Sequence, residues 1–357
     1  MSPRGERISP RVADLAICAV LLVMAPLFAA PALAQGQGES LGDVYRRVST
    51  SVVVIRARGQ EVTEDGLVRF KEIGSGVLIS ADGKVATAAH VVQQMADITV
   101  EFLGEEPVAA RVYASEQWAD ISILQLSAVP PSATVAKVAD SEPVLIGDPV
   151  FLVGAPYGLS YSLSQGVVSA RWAPDTVTKE FPLAEFFQTD AVINTGNSGG
   201  PMFNRAGEVI GLVSHNISKS GGSEGLGFAV TSNTVKRLLV ERNRRFWGFD
   251  AMLVAGEMAQ ALKVPQSGGF LVKQVATDSV ADRLGLRGGN RVAVVEGQRI
   301  VVGGDILLAI QGITMASARD RARVLRELEG LKTGDDLRVR IFRDNEIVEL
   351  AMKFTGF

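Results

Sequence analysis

The chain has 357 residues, 47% hydrophobic and 21% charged, with a formal net charge of -3. That length suggests two domains with separate cores, and the slightly acidic balance offers no basic field to attract nucleic acid. With only two histidines (His90 and His215) and one cysteine (Cys18), a His-rich metal centre is all but excluded and candidates for a catalytic base are few.

The N-terminus reads as an export signal. Arg4, Arg7 and Arg11 give a positive start, Leu15 to Phe28 an apolar stretch, and Ala32-Leu33-Ala34 a small-x-small cleavage site. Residues 1–34 are therefore expected to be removed before Gln35, and Cys18 with them. The mature chain would then lack any thiol or disulfide and depend on its cores. The alternative is an uncleaved membrane anchor, against which Pro26, Pro31 and the short apolar run argue.

Leu41 to Val48 has the spacing of a short amphipathic helix, with Leu41, Val44, Tyr45 and Val48 on one side. From Ser51 the pattern turns to short Val- and Ile-rich runs. They cover Ser51 to Arg58, Gly74 to Ser80, Lys84 to Ala88, Asp97 to Leu103, Val108 to Ala114 and Ile121 to Leu126. Pro149 to Gly154, Gly166 to Ala170, Phe186 to Asp190, Val209 to Val213 and Gly227 to Val230 continue them. About a dozen strands with few helices imply barrels or a sandwich. Ser232 or Asn233 is expected to cap a helix carrying Val235, Leu238 and Leu239, with a basic end at Arg242 to Arg245. This helix would close the first domain, and a second would run from about Trp247 to Phe357.

Between two apolar runs lies Asn194-Thr195-Gly196-Asn197-Ser198-Gly199-Gly200-Pro201. Its glycines permit a tight turn with unobstructed N–H groups, and a serine hydroxyl beside converging donors suits acyl transfer. On its own the stretch is equally a Gly-rich hairpin turn. His90, at the end of a predicted strand, and Asp120, just before another, are singly unremarkable too. Together they give the chain order His, Asp, Ser across one β-rich domain, the order of the chymotrypsin-type fold.

Several stretches carry a family resemblance. Gly74-Ser75-Gly76-Val77-Leu78-Ile79, Thr87-Ala88-Ala89-His90-Val91, Asp120-Ile121-Ser122-Ile123-Leu124, Gly196-Asn197-Ser198-Gly199-Gly200-Pro201 and Gly225-Leu226-Gly227-Phe228-Ala229-Val230 resemble the HtrA/Deg serine proteases. So do Val153-Gly154-Ala155-Pro156-Tyr157-Gly158 and Gly166-Val167-Val168-Ser169-Ala170. The resemblance implies a mainly β fold: a chymotrypsin-like double β-barrel protease domain over residues 41–245, followed by an α+β PDZ domain over 247–357. It implies His90 as general base, Asp120 as its orienting carboxylate and Ser198 as nucleophile. Backbone N–H groups of Gly196 and Ser198, with Asn197 between, would form the oxyanion hole. The implied protein is an exported, periplasmic, ATP-independent endopeptidase of misfolded or unfolded chains. It would need no metal or organic cofactor and would assemble as a homo-trimer or higher oligomer. A chaperone or peptide-binding stress sensor, or a signalling protease with one regulatory substrate, is the alternative.

His215 follows the strand Val209 to Val213. Two readings stand: with Asn216 and Ile217 it touches substrate near the primary specificity pocket, or it is a surface loop histidine. Gly59 to Glu72, Ala173 to Glu185 and Ser218 to Gly225 are polar insertions that the resemblance makes regulatory loops. Tyr45 is open to two roles, subunit contact or core.

In the second half, Ser267 to Val272, Asp278 to Arg287 and Gly304 to Gly312 resemble a bacterial protease PDZ domain, completed by strands near Leu337 to Phe342 and Ile347 to Met352. Ser317 to about Glu329 reads as a helix with Val324, Leu325 and Leu328 on its apolar face, and Gly330 is placed to end it. Phe246-Trp247-Gly248-Phe249 occupies the position of the family's carboxylate-binding loop, so Trp247, Gly248 and Phe249 are the candidates for holding C-terminal peptides. A linker packed between domains is the other reading. One departure from the family is an inserted hairpin near residues 290–303, Arg291 to Val295 and Gln298 to Val302 about Glu296-Gly297, which would reshape the groove or contact the protease domain.

Overall fold

A computed structural model describes residues 39–93, 95–159, 161–178, 180–241 and 246–355, apart from the side chains of Ala318 and Ala322. The expected signal at 1–34 and the basic run at 242–245 lie outside the described residues. Helix α1 (Leu41–Ser49) opens the described chain, capped by Ser40, whose Oγ accepts from Asp43 N. Val44 and Val48 are buried against Gly207, where a side chain would sit 2.8 Å from both.

The β-branched runs close into two six-stranded barrels. The first holds β1 (Val52–Thr63), β2 (Gly66–Leu78), β3 (Lys84–Thr87), β4 (Met95–Phe102), β5 (Val108–Glu116) and β6 (Ile121–Leu126), in the order β1-β2-β3-β6-β5-β4. The second holds β7 (Pro149–Gly154), β8 (Ser162–Trp172), β9 (Phe186–Thr189), β10 (Pro201–Asn204), β11 (Val209–Asn216) and β12 (Gly227–Thr231), in the order β10-β11-β12-β9-β8-β7. This is the chymotrypsin-like double barrel.

Alternation along the strands decides what each barrel buries. Val53, Ile55, Ala57, Leu124 and Leu126 fill the first barrel, whereas Val52, Ile121 and Ile123 turn outward to join Phe151, Phe186, Phe203, Leu212 and Phe228 between the barrels. Phe151 and Phe203 stack there with centroids 5.1 Å apart. Truncating either to Ala is expected to cost about 3–5 kcal/mol.

Three sequence expectations are corrected. Gly59 to Glu72 is not a loop: β1 and β2 pair continuously to Thr63 opposite Gly66. Its polar residues obscured a ribbon that packs on the barrel core only at its base, through Phe70, and so has little apolar alternation to show. His90 sits in a short helix, α2 (Ala89–Val92), rather than at a strand end. The cap of helix α3 (Ser232–Val235) is Thr231, whose side chain accepts from Thr234 N, and a wider helical turn at Lys236–Glu241 buries Leu238 and Leu239.

The C-terminal third forms a separate sheet from β13 (Phe249–Ala255), β14 (Gly268–Val275), β17 (Ile306–Ile310), β19 (Asp336–Arg343) and β20 (Glu346–Lys353), in that order, with β18 (Ile313–Thr314) paired to β17. Helices α4 (Gly256–Ala261), α5 (Val280–Leu284) and α6 (Ala318–Glu329) accompany it, with Ser317 capping α6. Its core gathers Val272, Leu307, Val324, Leu328, Leu337 and Ile341. The inserted hairpin is β15 (Arg291–Val295) and β16 (Gln298–Val302), turned at Glu296 and Gly297 with φ of 50° and 74°. Positive φ at both positions gives the primed turn that matches strand twist. Ile300 and Val302 anchor it under Leu271 and Leu308. On its other side Arg299 meets Glu64 at 3.4 Å, beside a bond from Gln274 Nε2 to Gln60 O at 3.2 Å. The hairpin therefore braces the C-terminal sheet against the β1–β2 ribbon.

Candidate active site

Asp120 ends a 3-10 turn (Gln117–Ala119) in the left-handed region, with φ 53°. Asp tolerates that conformation, and here it turns a buried carboxylate towards α2. Asp120 Oδ1 accepts from His90 N at 3.1 Å and lies 2.9 Å from His90 Nδ1, which is 3.0 Å from Oδ2. The two bonds fix both backbone and ring of His90, leaving Nε2 facing outward on a side chain 42% exposed. Burial alone would push the His90 pKa down. The hydrogen bond and charge of Asp120, assisted by Glu72 and Glu180, outweigh burial and hold it above the ordinary histidine value.

Ser214, on β11, completes the carboxylate's partners by donating its hydroxyl to Asp120 Oδ2 at 2.5 Å. Its carbonyl accepts from Ser198 Oγ at 3.2 Å. Ser198 is thus in a resting rotamer, bonded to Ser214 and not to His90, and must rotate to pass its proton to the imidazole.

The turn that carries Ser198 is set by contacts few residues would permit. Gly196 has φ 100°, and a side chain there would lie 2.1 Å from Ala155 O. Gly199 has φ 80°, and a side chain would strike Thr87 Oγ1 at 2.1 Å and Ser75 O at 2.4 Å. Thr195 O accepts from Tyr157 N at 2.7 Å. A trans peptide places C=O and N–H on opposite sides, so this bond turns the Gly196 N–H away from Tyr157. Among the described residues neither Gly196 N nor Ser198 N has an acceptor. Two uncommitted donors flanking Asn197 can meet a developing oxyanion.

Ser75 and Ser214 were not singled out by the sequence. Fully buried on β2, Ser75 donates Oγ to Gly196 O at 2.7 Å and accepts there from Ala155 N at 3.0 Å, while its N–H donates to Ser198 O at 2.8 Å. It stood within the quoted Gly-Ser-Gly stretch, but only the fold brings that stretch against the nucleophile turn. The signal was the flanking glycines: Gly74 leaves space beside Ser198 O, where a side chain would approach to 3.1 Å.

His215 is no surface loop histidine. It lies on β11, with ring centroids of Phe228, Phe186 and Phe181 at 5.0, 5.3 and 5.6 Å. Burial holds its pKa below the ordinary value, against the pull of Asp120 and with the push of His90. Asn216 Nδ2 donates to Ile193 O and Gly222 O, both at 3.2 Å, and so ties the loop after β11 to the nucleophile turn. Ile217 is exposed. Among the described residues the edge of β11 facing the turn has no strand partner beyond Val213, since β10 pairs only as far as Leu212. That edge runs beside Ser198 and suits an added peptide strand.

Away from this site, a groove runs between β13 and α6, walled by Phe249 and Ala251 on one side and Val324 and Leu325 on the other. Residues of the first barrel, Gln93 and Ser115 to Gln117, close one flank. Phe246 N donates to Tyr113 O at 3.3 Å, and Arg321 lies 5.5 Å over the Trp118 ring. The Trp247 ring stacks on Phe354, packs against the sheet's core and also lines the groove. Gly248, at φ 89°, presses on Ser279 so closely that a side chain would come within 1.9 Å. Tyr45 donates its hydroxyl to Tyr161 O at 2.7 Å within the chain.

Residues 74–212 match the family of trypsin-like peptidase domains. The chain is 32% identical over 263 residues to a probable periplasmic serine endoprotease DegP-like of Pseudomonas putida (strain W619), covering 72% of this chain and 53% of the relative. It is 35% identical over 239 residues to the periplasmic serine endoprotease DegP of Escherichia coli (strain K12), covering 65% of this chain and 50% of that one. It therefore spans about half the length of the curated relatives it matches. Among solved structures, the HtrA-type protease AlgW with a tripeptide superposes with a TM-score of 0.50 at 25% identity, covering 88% of this chain and 97% of that one.

Proposed function

The chain belongs to the HtrA/Deg family of serine proteases, and from that footing we propose that it is a serine endopeptidase of exported polypeptides. The observation that carries this reading is the linked set His90, Asp120, Ser214 and Ser198, beside a turn with two uncommitted N–H donors. Substrate adds as a strand along the free edge of Ser214 to Asn216, with its scissile carbonyl oxygen between Gly196 N and Ser198 N. Ser198 rotates from Ser214 O towards His90 Nε2, loses its proton to it and attacks the carbonyl carbon. Asp120 steadies the imidazolium, which then protonates the leaving amine; water and the same base release the acyl group.

The C-terminal sheet is a PDZ domain in this reading. Phe246 to Phe249 and the edge strand β13 take a peptide C-terminus opposite α6. Unfolded or misfolded chains are the substrate class, the periplasm is the compartment, and a homo-trimer is the assembly. The periplasmic relatives and the signal-like residues 1–34 support the compartment.

The test is cleavage of casein by the mature chain beside Ser198→Ala. A loss on the order of 10⁴–10⁶-fold in kcat is expected for the variant. Equal degradation by both proteins would sink the assignment. A second reading, a protease switched by peptides, draws on the groove that the first barrel flanks. Peptides with free C-termini should change the cleavage rate, and C-terminally amidated versions should not.

A further inference from the structure

We propose that His215 is a positioning residue of the catalytic hydrogen-bond chain, acting through Ser214 on Asp120. The inference rests on the endopeptidase reading above and adds a residue to its machinery.

Ser214 Oγ carries a single proton. At 2.5 Å from Asp120 Oδ2, which as a carboxylate oxygen only accepts, the hydroxyl must spend that proton there. His215 Nδ1 lies 3.1 Å from the same hydroxyl oxygen. With the proton spent on Asp120, the oxygen can only accept from His215, so His215 carries its hydrogen on Nδ1. The chain then runs one way: His215 Nδ1–H to Ser214 Oγ, Ser214 O–H to Asp120 Oδ2, and Asp120 Oδ1 holding His90. A hydroxyl that accepts from a fixed donor cannot swing its own proton elsewhere, which keeps the donor to Asp120 in place.

The surroundings of His215 fix the ring for this task. Phe228 stacks on it at 13°, Phe186 meets it edge-on at 89°, and Phe181 closes the third side. This apolar cage favours the neutral ring, consistent with its lowered pKa. A neutral imidazole has one N–H, and Ser214 is the acceptor that selects Nδ1 for it. Phe181 comes from the segment between β8 and β9, so the placement of that segment bears on the ring and, through it, on the carboxylate.

A double-mutant cycle tests the proposal on the full mature chain, after wild type and Ser198→Ala have established serine-dependent cleavage. If those two proteins do not differ, the endopeptidase reading fails and the proposal falls with it. His215→Phe keeps an aromatic ring in the cage but removes the donor. It is expected to lower kcat about tenfold with KM within about twofold. His215→Asn, whose amide reaches the δ position, is expected to recover most of kcat. In a Ser214→Ala background His215→Phe should cost nothing further, because the residue through which it acts is gone. Losses that multiply across the two positions, or a His215→Phe protein with wild-type kcat, would overturn the proposal. If His215→Phe does not fold by circular dichroism, His215→Gln replaces it, since its amide lies one atom too far out. Equal kcat for the Asn and Gln variants would then overturn it.

Discussion

Ser75→Ala removes one oxygen and with it the side-chain tie between the first barrel and the turn that presents Ser198, leaving the backbone bond from Ser75 N to Ser198 O. The hydroxyl donates to Gly196 O at 2.7 Å and accepts from Ala155 N at 3.0 Å, and all three residues are buried. The substitution therefore strands one buried carbonyl and one buried N–H. At about 1–3 kcal/mol for each unmade bond, with partial relaxation, the expected destabilisation is about 2–4 kcal/mol. The kinetic effect follows from the same atoms. In the proposed mechanism Gly196 N is the first oxyanion donor, and the carbonyl of the same residue is the group that Ser75 restrains. Losing a whole donor costs about 10²–10³-fold in kcat; a donor left in place but loosely aimed should cost about 10–100-fold. The assay is kcat and KM on an internally quenched peptide at 25 °C, with a urea melt of each protein. A Ser75→Ala enzyme with wild-type kcat would refute the claim that this hydroxyl sets the oxyanion turn, whatever its stability.

Other perturbations probe separate parts of the molecule. The raised His90 pKa means kcat/KM should climb with a midpoint above the ordinary value of about 6.5, since only the neutral ring accepts the Ser198 proton. In the stability profile, protonated His90 favours the folded state below the ordinary pKa, and that contribution is lost as pH rises through the higher folded value. An acid limb at or below the free value would contradict the Asp120 coupling. Gly199→Ala should abolish cleavage, because its methyl would meet Thr87 Oγ1 and Ser75 O; a folded, active variant would show that the turn has another conformation. Asp305→Ala should cost about 3–5 kcal/mol in the C-terminal sheet by stranding Arg343, which grips both carboxylate oxygens at 2.7 Å. Arg299→Glu, which replaces the exposed Arg299–Glu64 pair with two like charges, should change stability by less than about 1 kcal/mol, read from a urea melt.

The barrels were legible because their strands carry period-two alternation against a core, as Val53, Ile55 and Ala57 do. The hairpin at residues 290–303 was legible for a different reason: Glu296-Gly297 between two β-branched runs leaves few other turns. The β1–β2 ribbon beyond Gly59 was not, since no buried apolar face marks strands that pair only with each other. His90, Asp120 and Ser198 were singled out through their local contexts and order, and the fold links them through Ser214. Ser214 escaped because nothing local distinguishes a buried serine that bridges barrels from one in any strand, and Ser75 because the glycines that flank it gain their meaning only once the fold sets them against the nucleophile turn. His215 was seen with two readings open, and its place on β11 was not legible: its partners Phe181, Phe186 and Phe228 are scattered along the chain, and only strand pairing gathers them.

The same bonds that dock the barrels also set the chemistry. The first barrel contributes His90, Asp120 and Ser75; the second contributes Ser198, Ser214 and the turn between them. Ser75 N to Ser198 O, Ser75 Oγ to Gly196 O and Ser214 Oγ to Asp120 all cross that boundary. A relative shift of the barrels by an ångström would break several of these at once, because each is a short, buried, directional bond. Cleavage should therefore fail before the barrels themselves melt, as the interface loosens under mild denaturant. Control from outside needs only small motions at the segments that touch this boundary. Phe181 against His215 and Tyr157 N on Thr195 O are two such places, each one residue removed from a group that holds the site in register.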